Sequence, residues 1–129
     1  MTTENMGIVQ KAMAELIEKG EVDALASALS DGFVHHRPDA KARTKTEWLA
    51  DVRAALVEIG DMRVEVLHVL GDGDHVVMHT RRSLPDSAPE VVVVDFLRFD
   101  GGLIVEAWEV IEPVAQAEAN LRWWEPARG

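Results

Sequence analysis

Cysteine and tyrosine are both absent from the sequence. Without cysteine there is no disulfide, no thiol nucleophile and no cysteine-based zinc site, a composition that suits a cytoplasmic setting. Without tyrosine, a pocket lacks the phenol that could donate a hydrogen bond to an enolate oxygen. Cations are scarce as well: Lys+Arg 13 stand against Asp+Glu 23, a net charge of -10. With no basic stripe, neither nucleic acid nor an anionic membrane surface is an expected partner. No apolar run approaches the length of a membrane span. Met1 to Gln10 lacks a basic region followed by an apolar run, so no export signal is expected either. No repeat, low-complexity tract or linker interrupts the chain. Its 129 residues therefore read as one domain, 1–129, with a tail from about Pro113. A chain of this size buries on the order of two-thirds of its unfolded surface, enough for a core and a pocket.

What is present is organised in two halves. Met6, Val9, Met13, Leu16 and Ile17 recur at helical spacing before the stop signal Gly20. A second short helix has Val22, Leu25, Ala26 and Leu29 on one side and ends near Asp31-Gly32. Phe33 to Pro38 is expected to be extended, because a residue before proline is pushed out of the helical region. Thr44 and Glu47 have capping-box spacing ahead of a third helix whose buried stripe is Trp48, Val52, Leu56 and Ile59. After Gly60 the pattern is strand: Met62 to Leu70, a Gly71-Asp72-Gly73 turn, His75 to Leu84, a loop from Pro85 to Pro89, and a long hairpin from Val91 to Glu112. A short helical tail, Ala115 to Leu121, leads to Trp123-Trp124, expected to dock over the pocket or on a partner subunit. Three helices followed by antiparallel strands make an α+β fold, a cone-shaped curved sheet whose concave side the helices close into a pocket.

The last hairpin carries the chemistry. Asp95 and Glu109 stand in an odd-numbered set that is otherwise apolar, and a carboxylate on an apolar strand face is costly. A three-residue loop, Asp100 to Gly102, pairs Asp95 with Ala107 and Val93 with Glu109, placing both acids on one face as diagonal neighbours roughly 7 to 8 Å apart. A two-residue Gly101-Gly102 turn instead shifts the pairing by one and sends them to opposite faces. The first register is preferred. Val93, Leu97, Ala107 and Ile111 are then the candidate ligand-binding wall, with Phe33 and Trp48 from the preceding elements. Val92, Val94, Phe96, Ile104, Trp108 and Val110 form an apolar outer face, which predicts a homodimer packed sheet to sheet, with Arg98 and Glu106 as a cross-strand ion pair.

Metal binding is not expected. His35 and His36 are adjacent on an extended segment and point to opposite faces. His75 and His79 lie about 13 Å apart along a strand. One histidine of the pair His35 and His36, or else His79, is left as a candidate proton relay or hydrogen-bond donor.

The order of elements, the segment Phe33-Val34-His35-His36-Arg37-Pro38 and the run Val94 to Glu109 resemble the nuclear transport factor 2-like superfamily, and within it the SnoaL-like polyketide cyclase branch. The likeness extends to about Glu112. It implies that Asp95 is a protonated acid donating to an enolate, as in ketosteroid isomerase, and that Glu109 is the acid/base carboxylate of the last strand. His36 matches the histidine of the family's His-x-Pro segment, and His79 one on the strand before the loop. The chain departs from the pattern at Ala107, where a histidine is expected, at Glu109, where an aspartate is expected, and at Arg37, where the isomerase has its aspartate base.

Burial raises a carboxyl pKa, and two close acids push each other apart, so one serves as base and the other as acid near neutral pH. Deprotonation next to a carbonyl by such a pair requires no cofactor. The expected function is therefore cofactor-free cyclisation, isomerisation or dehydration of a small apolar carbonyl compound, with Glu109 and Asp95 catalytic and His36 or His79 positioning. Two rivals are a non-catalytic dimer that binds a lipophilic molecule and a protein-interaction module. A purely structural alternative pairs the two acids with Arg37, Arg81 or Arg82.

Overall fold

The computed structural model describes residues 2–85, 90–114, 119 and 121. Its elements are α1 (Thr2–Lys19), α2 (Asp23–Ala28), β1 (Leu29–His36), β2 (Ala42–Thr44), α3 (Lys45–Ile59), β3 (Arg63–Asp72), β4 (His75–Ser83), β5 (Val91–Asp100) and β6 (Leu103–Pro113). The strands form one curved, unclosed sheet in the order β2-β1-β6-β5-β4-β3. This is the expected α+β architecture, with the helical part first. Its β1–β6 pairing is parallel, while the other strand pairs are antiparallel.

Local chemistry sets the helix ends. Gly20 ends α1 in a left-handed conformation (φ 65), and the Glu21 N–H closes back on the Glu15 carbonyl. Thr44 accepts from the Glu47 backbone while the Glu47 side chain accepts from the Thr44 N–H, completing the capping box of α3. The second helix is shorter than its apolar spacing suggested. It stops at Ala28, and Leu29 already begins β1, where it pairs with Ile104 of β6. Pairing to a neighbouring strand outweighs one further helical turn. The turn between β3 and β4 falls at Gly73 and Asp74, with Asp72 paired to His75. The proposed tail helix and Trp123-Trp124 lie outside the described residues, apart from Ala119 and Leu121.

The core lies between the helices and the concave face of the sheet. Val9 of α1, Leu49 of α3, Phe33 of β1, Val76 and Met78 of β4, and Leu97, Phe99, Ile104 and Ala107 of the final hairpin are all buried in one cluster. On β4 the even residues Val76, Met78 and Thr80 point inward. His79 therefore points outward.

The final hairpin turns through Gly101 and Gly102, both with positive φ (59 and 82), in a two-residue connection. The expected three-residue loop is thus corrected. A bulge compensates: Phe99 pairs with Ile104 but Arg98 pairs with Glu106, so Val105 is an additional residue on β6. Ile104 faces inward beside Phe99, against the expectation that it joins the outer face, and Leu103 is 40% exposed. Beyond the bulge the odd residues of both strands share the concave face. Asp95 is directly opposite Glu109, and Val93 opposite Ile111.

Candidate active site

Strand alternation brings a small set of polar groups to the concave wall. Glu109 on β6, Asp95 on β5 and Met78 on β4 form one row across the sheet. The next row toward the hairpin turn holds His35, Ala107, Leu97 and Val76. Arg82 reaches the acids from β4: its Nη2 donates to Asp95 Oδ2 at 3.2 Å and its Nε to Thr80 Oγ1 at 3.0 Å. Both members of this ion pair are largely sealed, at 16% and 15% side-chain exposure. The wall encloses a cavity of about 400 Å³ between the sheet, α1 and α3. Apolar side chains dominate its lining, and its polar members are His35, Asp51, Arg82, Asp95 and Glu109.

This environment separates the acids from ordinary carboxylates. Burial pushes the Asp95 carboxyl up to about 7; Arg82 opposes the shift and Glu109 adds to it. Arg82 does not cancel the cost of burial, because it offers Asp95 a single hydrogen bond. Burial also raises Glu109, against the attraction of Arg82 and Arg37. Both carboxyls of the pair are thus raised at directly opposed positions, beside the guanidinium of Arg82.

Among the residues singled out in the sequence, Asp95, Glu109, Val93, Leu97, Ala107, Ile111, Phe33 and Trp48 all line this cavity. His36 and His79 do not, and their expected positioning role is corrected. His36 lies on the outer face, where Nε2 is 2.6 Å from Glu106 Oε2 and the ring stacks on Trp108 at 5.2 Å. His79 stacks on His68 of β3 at 5.3 Å, with the two Nδ1 atoms 3.0 Å apart. The histidine of the cavity is His35, stacked on Trp48 at 4.7 Å and 3% exposed. Parity carried that signal: Phe33 and His35 share a face of β1, so Phe33 and His36 cannot both point inward. Arg82 was also foreshadowed. Val76, Met78, Thr80 and Arg82 form an alternating set on β4, and Arg82 is one of the three arginines named in the structural alternative.

No group of three or more His, Asp or Glu side chains suited to a metal occurs among the described residues. No helix among the described residues is long and apolar enough to cross a membrane. A second, more open hollow of about 470 Å³ lies between the C-terminal ends of α1 and α3. It shares Leu16, Ile17, Leu56, Ile59 and Met62 with the first and touches none of the acids of the pair.

A curved sheet backed by helices, with carboxylates on its concave wall, defines a class of small α+β pocket proteins. The SnoaL-like domain model matches residues 9–107, and the chain belongs to that family. Its fold matches solved structures at low sequence identity. A proposed ketosteroid isomerase from Kribbella flavida is 19% identical with a TM-score of 0.75, covering 88% of this chain and 81% of that one. A proposed SnoaL-like polyketide cyclase from a Jannaschia species is 17% identical with a TM-score of 0.73, covering 95% and 92%. A LEH-like epoxide hydrolase from M. tuberculosis is 17% identical with a TM-score of 0.73, covering 97% and 98%. A comparison of the sequence with curated proteins gives no match. At these identities the likeness speaks for the fold, and function rests on the site itself.

Proposed function

We propose that the protein is a cofactor-independent acid/base enzyme acting on a small, largely apolar carbonyl compound. The reaction class is proton abstraction next to the carbonyl, leading to cyclisation, isomerisation or loss of water. The observation that carries this reading is the direct pairing of Asp95 and Glu109 on the wall of an apolar cavity, each with its carboxyl raised by burial. Glu109 takes the proton from carbon. Asp95 in its neutral form, seated by Arg82, donates to the oxygen on which negative charge develops. Adjacent placement lets one small molecule meet both groups.

An enolisable two-ring ketone, 2-tetralone, serves as the probe. Wild-type protein accelerates exchange of its C1 protons in D2O, followed by NMR. Glu109→Gln binds the probe but loses the acceleration. Binding by the wild type without exchange would instead favour the second reading, a non-catalytic carrier of lipophilic molecules. That reading draws on the Arg82–Asp95 ion pair, which also serves to tie β4 to β5. The cavity weighs against a purely protein-binding module.

The same proposal includes a homodimer through the outer sheet face. Phe96, Val110 and Leu70 are 39%, 53% and 61% exposed, an apolar surface that a second copy of the chain would cover. Native mass spectrometry reads the outcome, and a monomer at micromolar concentration removes the dimer from the proposal.

A further inference from the structure

The pair Asp95 and Glu109 has Arg82 beside it, whereas His35 has no hydrogen-bond partner among the described residues. Its Nδ1 is buried and makes no hydrogen bond. The nearest acid of the cavity on its side, Asp51, is engaged elsewhere: its two oxygens accept from Arg43 Nε at 2.9 Å and Nη2 at 3.0 Å. A buried polar atom left alone in a packed wall calls for an explanation.

Three features define what this ring offers. Burial, reinforced by His36 and Arg37 and opposed by Asp51, lowers its pKa to about 4, so the imidazole is neutral across the physiological range. Stacking on Trp48, with a 17° angle between the planes, fixes its orientation. Because Nδ1 is sealed without an acceptor, a proton there leaves an orphaned N–H, the rarer and costlier of the two possible orphans. The proton therefore belongs on Nε2, and the edge of the ring presented to the cavity carries a donor.

We propose that His35 is a second recognition point, a neutral Nε2–H donor for a ligand oxygen distinct from the reacting carbonyl. This deepens the proposed function and rests on it for the position of the first oxygen. His35 is the lateral neighbour of Ala107, two residues from Glu109 on the same face of β6. Two residues along β6 are roughly 7 Å and one strand-to-strand step about 5 Å, which puts His35 roughly 8 Å from Glu109 at Cα. The small side chain of Ala107 leaves the path between the two points open. The ligand class is thus an apolar two-ring or larger compound with oxygen functions on opposite edges, a hydroxy-ketone or diketone. A simple ketone uses only half of the site.

The test compares 2-tetralone with 6-hydroxy-2-tetralone, whose hydroxyl is on the far ring. Wild type is expected to bind the hydroxylated probe about tenfold more tightly by calorimetry. His35→Phe keeps an aromatic ring against Trp48 but removes the donor, and brings the two affinities within about twofold. Glu109→Gln keeps the tenfold preference while losing exchange. On the unmodified protein, imidazole 15N shifts should show Nε2 protonated, and that signal should move with the hydroxylated probe but not with 2-tetralone. This second measurement stands even if the phenylalanine variant fails to fold. Equal affinity of the wild type for the two probes overturns the inference and leaves the proposed function intact if exchange is observed. A preference without exchange overturns the proposed chemistry and upholds His35. Binding of neither probe removes the two-ring ligand class and with it the inference.

Discussion

Each face of the sheet carries a histidine, acid and an arginine, and the two sets behave in opposite ways. On the convex side His36 and Arg98 both bond Glu106, at 2.6 and 3.0 Å, at side-chain exposures of 34%, 38% and 25%. His36, through its hydrogen bond, and Arg98 hold the Glu106 carboxyl below the usual range. On the concave side His35 has an orphaned nitrogen, Asp95 shares one hydrogen bond with Arg82, and Glu109 is raised by burial. Residues one position apart in sequence thus serve different ends. The outer trio is satisfied and held at low energy. The inner groups are desolvated and incompletely paired, the state in which a carboxylate is a useful base and a carboxylic acid a useful donor.

The comparison breaks most sharply at the two glutamates. Glu109→Gln should reduce proton exchange on 2-tetralone by at least about 100-fold, within the range attributed to a positioned general base. Glu106→Gln should change it by less than about twofold, measured in the same assay. Equal effects would erase the distinction between the faces.

Next in size is the pH dependence of activity. With Asp95 required as the neutral acid and its carboxyl at about 7, the rate should fall on the alkaline side of that value. Asp95→Asn retains a donor that cannot ionise, so the falling limb should disappear while the maximal rate drops about tenfold, read from kcat/KM profiles.

Stability offers a third test with a sign for each residue. The Asp95 pKa is raised from 3.8 to about 7 in the fold, so the native state holds a proton that the unfolded chain has released. Its contribution is fully present below about 4 and is lost as pH rises through 7. His35 is lowered from 6.5 to about 4. Its contribution is present above 6.5 and is lost as pH falls through 4. The swings are on the order of 4 kcal/mol for Asp95 and about 3 kcal/mol for His35, and the two oppose each other. Asp95→Asn should therefore be more stable at pH 7 than at pH 4.5, and His35→Phe the reverse, by chemical denaturation.

The smallest effect belongs outside. Removing the Glu106 carboxylate should cost no more than about 1 kcal/mol, less at high salt, because its partners are part-exposed. Denaturation at low and high ionic strength measures it.

Much of this was legible in the sequence where one local rule acts alone. Gly20 and the Thr44/Glu47 box set helix ends through groups a few residues apart, and the fold followed. The odd-numbered acids did share a face, but by a route opposite to the one expected: a two-residue turn corrected by a bulge at Val105. Turn chemistry alone could not reveal that bulge, because it depends on how β6 fits between β5 and β1. His35 stood open as one of three candidate pocket histidines without being singled out. The His-x-Pro likeness favoured His36, whereas parity with Phe33 was already in the sequence. The short β2 has no periodic signature in three residues and exists through its pairing with β1. Leu29 likewise satisfied a helical stripe until Ile104 offered it a strand.

The bulge at Val105 makes this hairpin a counting device. Upstream of it, Ile104 faces the cavity; downstream, Ala107 and Glu109 do. Keep Val105 and the turn but pair the strands without the bulge, and the pairing sum stays that of Phe99 with Ile104, which sets Trp108 opposite Asp95 and expels the glutamate to the outside. Both acids would still be spelled out in the chain. Two chains with the same acids at the same spacing can therefore differ in having the pair at all, according to whether β6 carries the bulge.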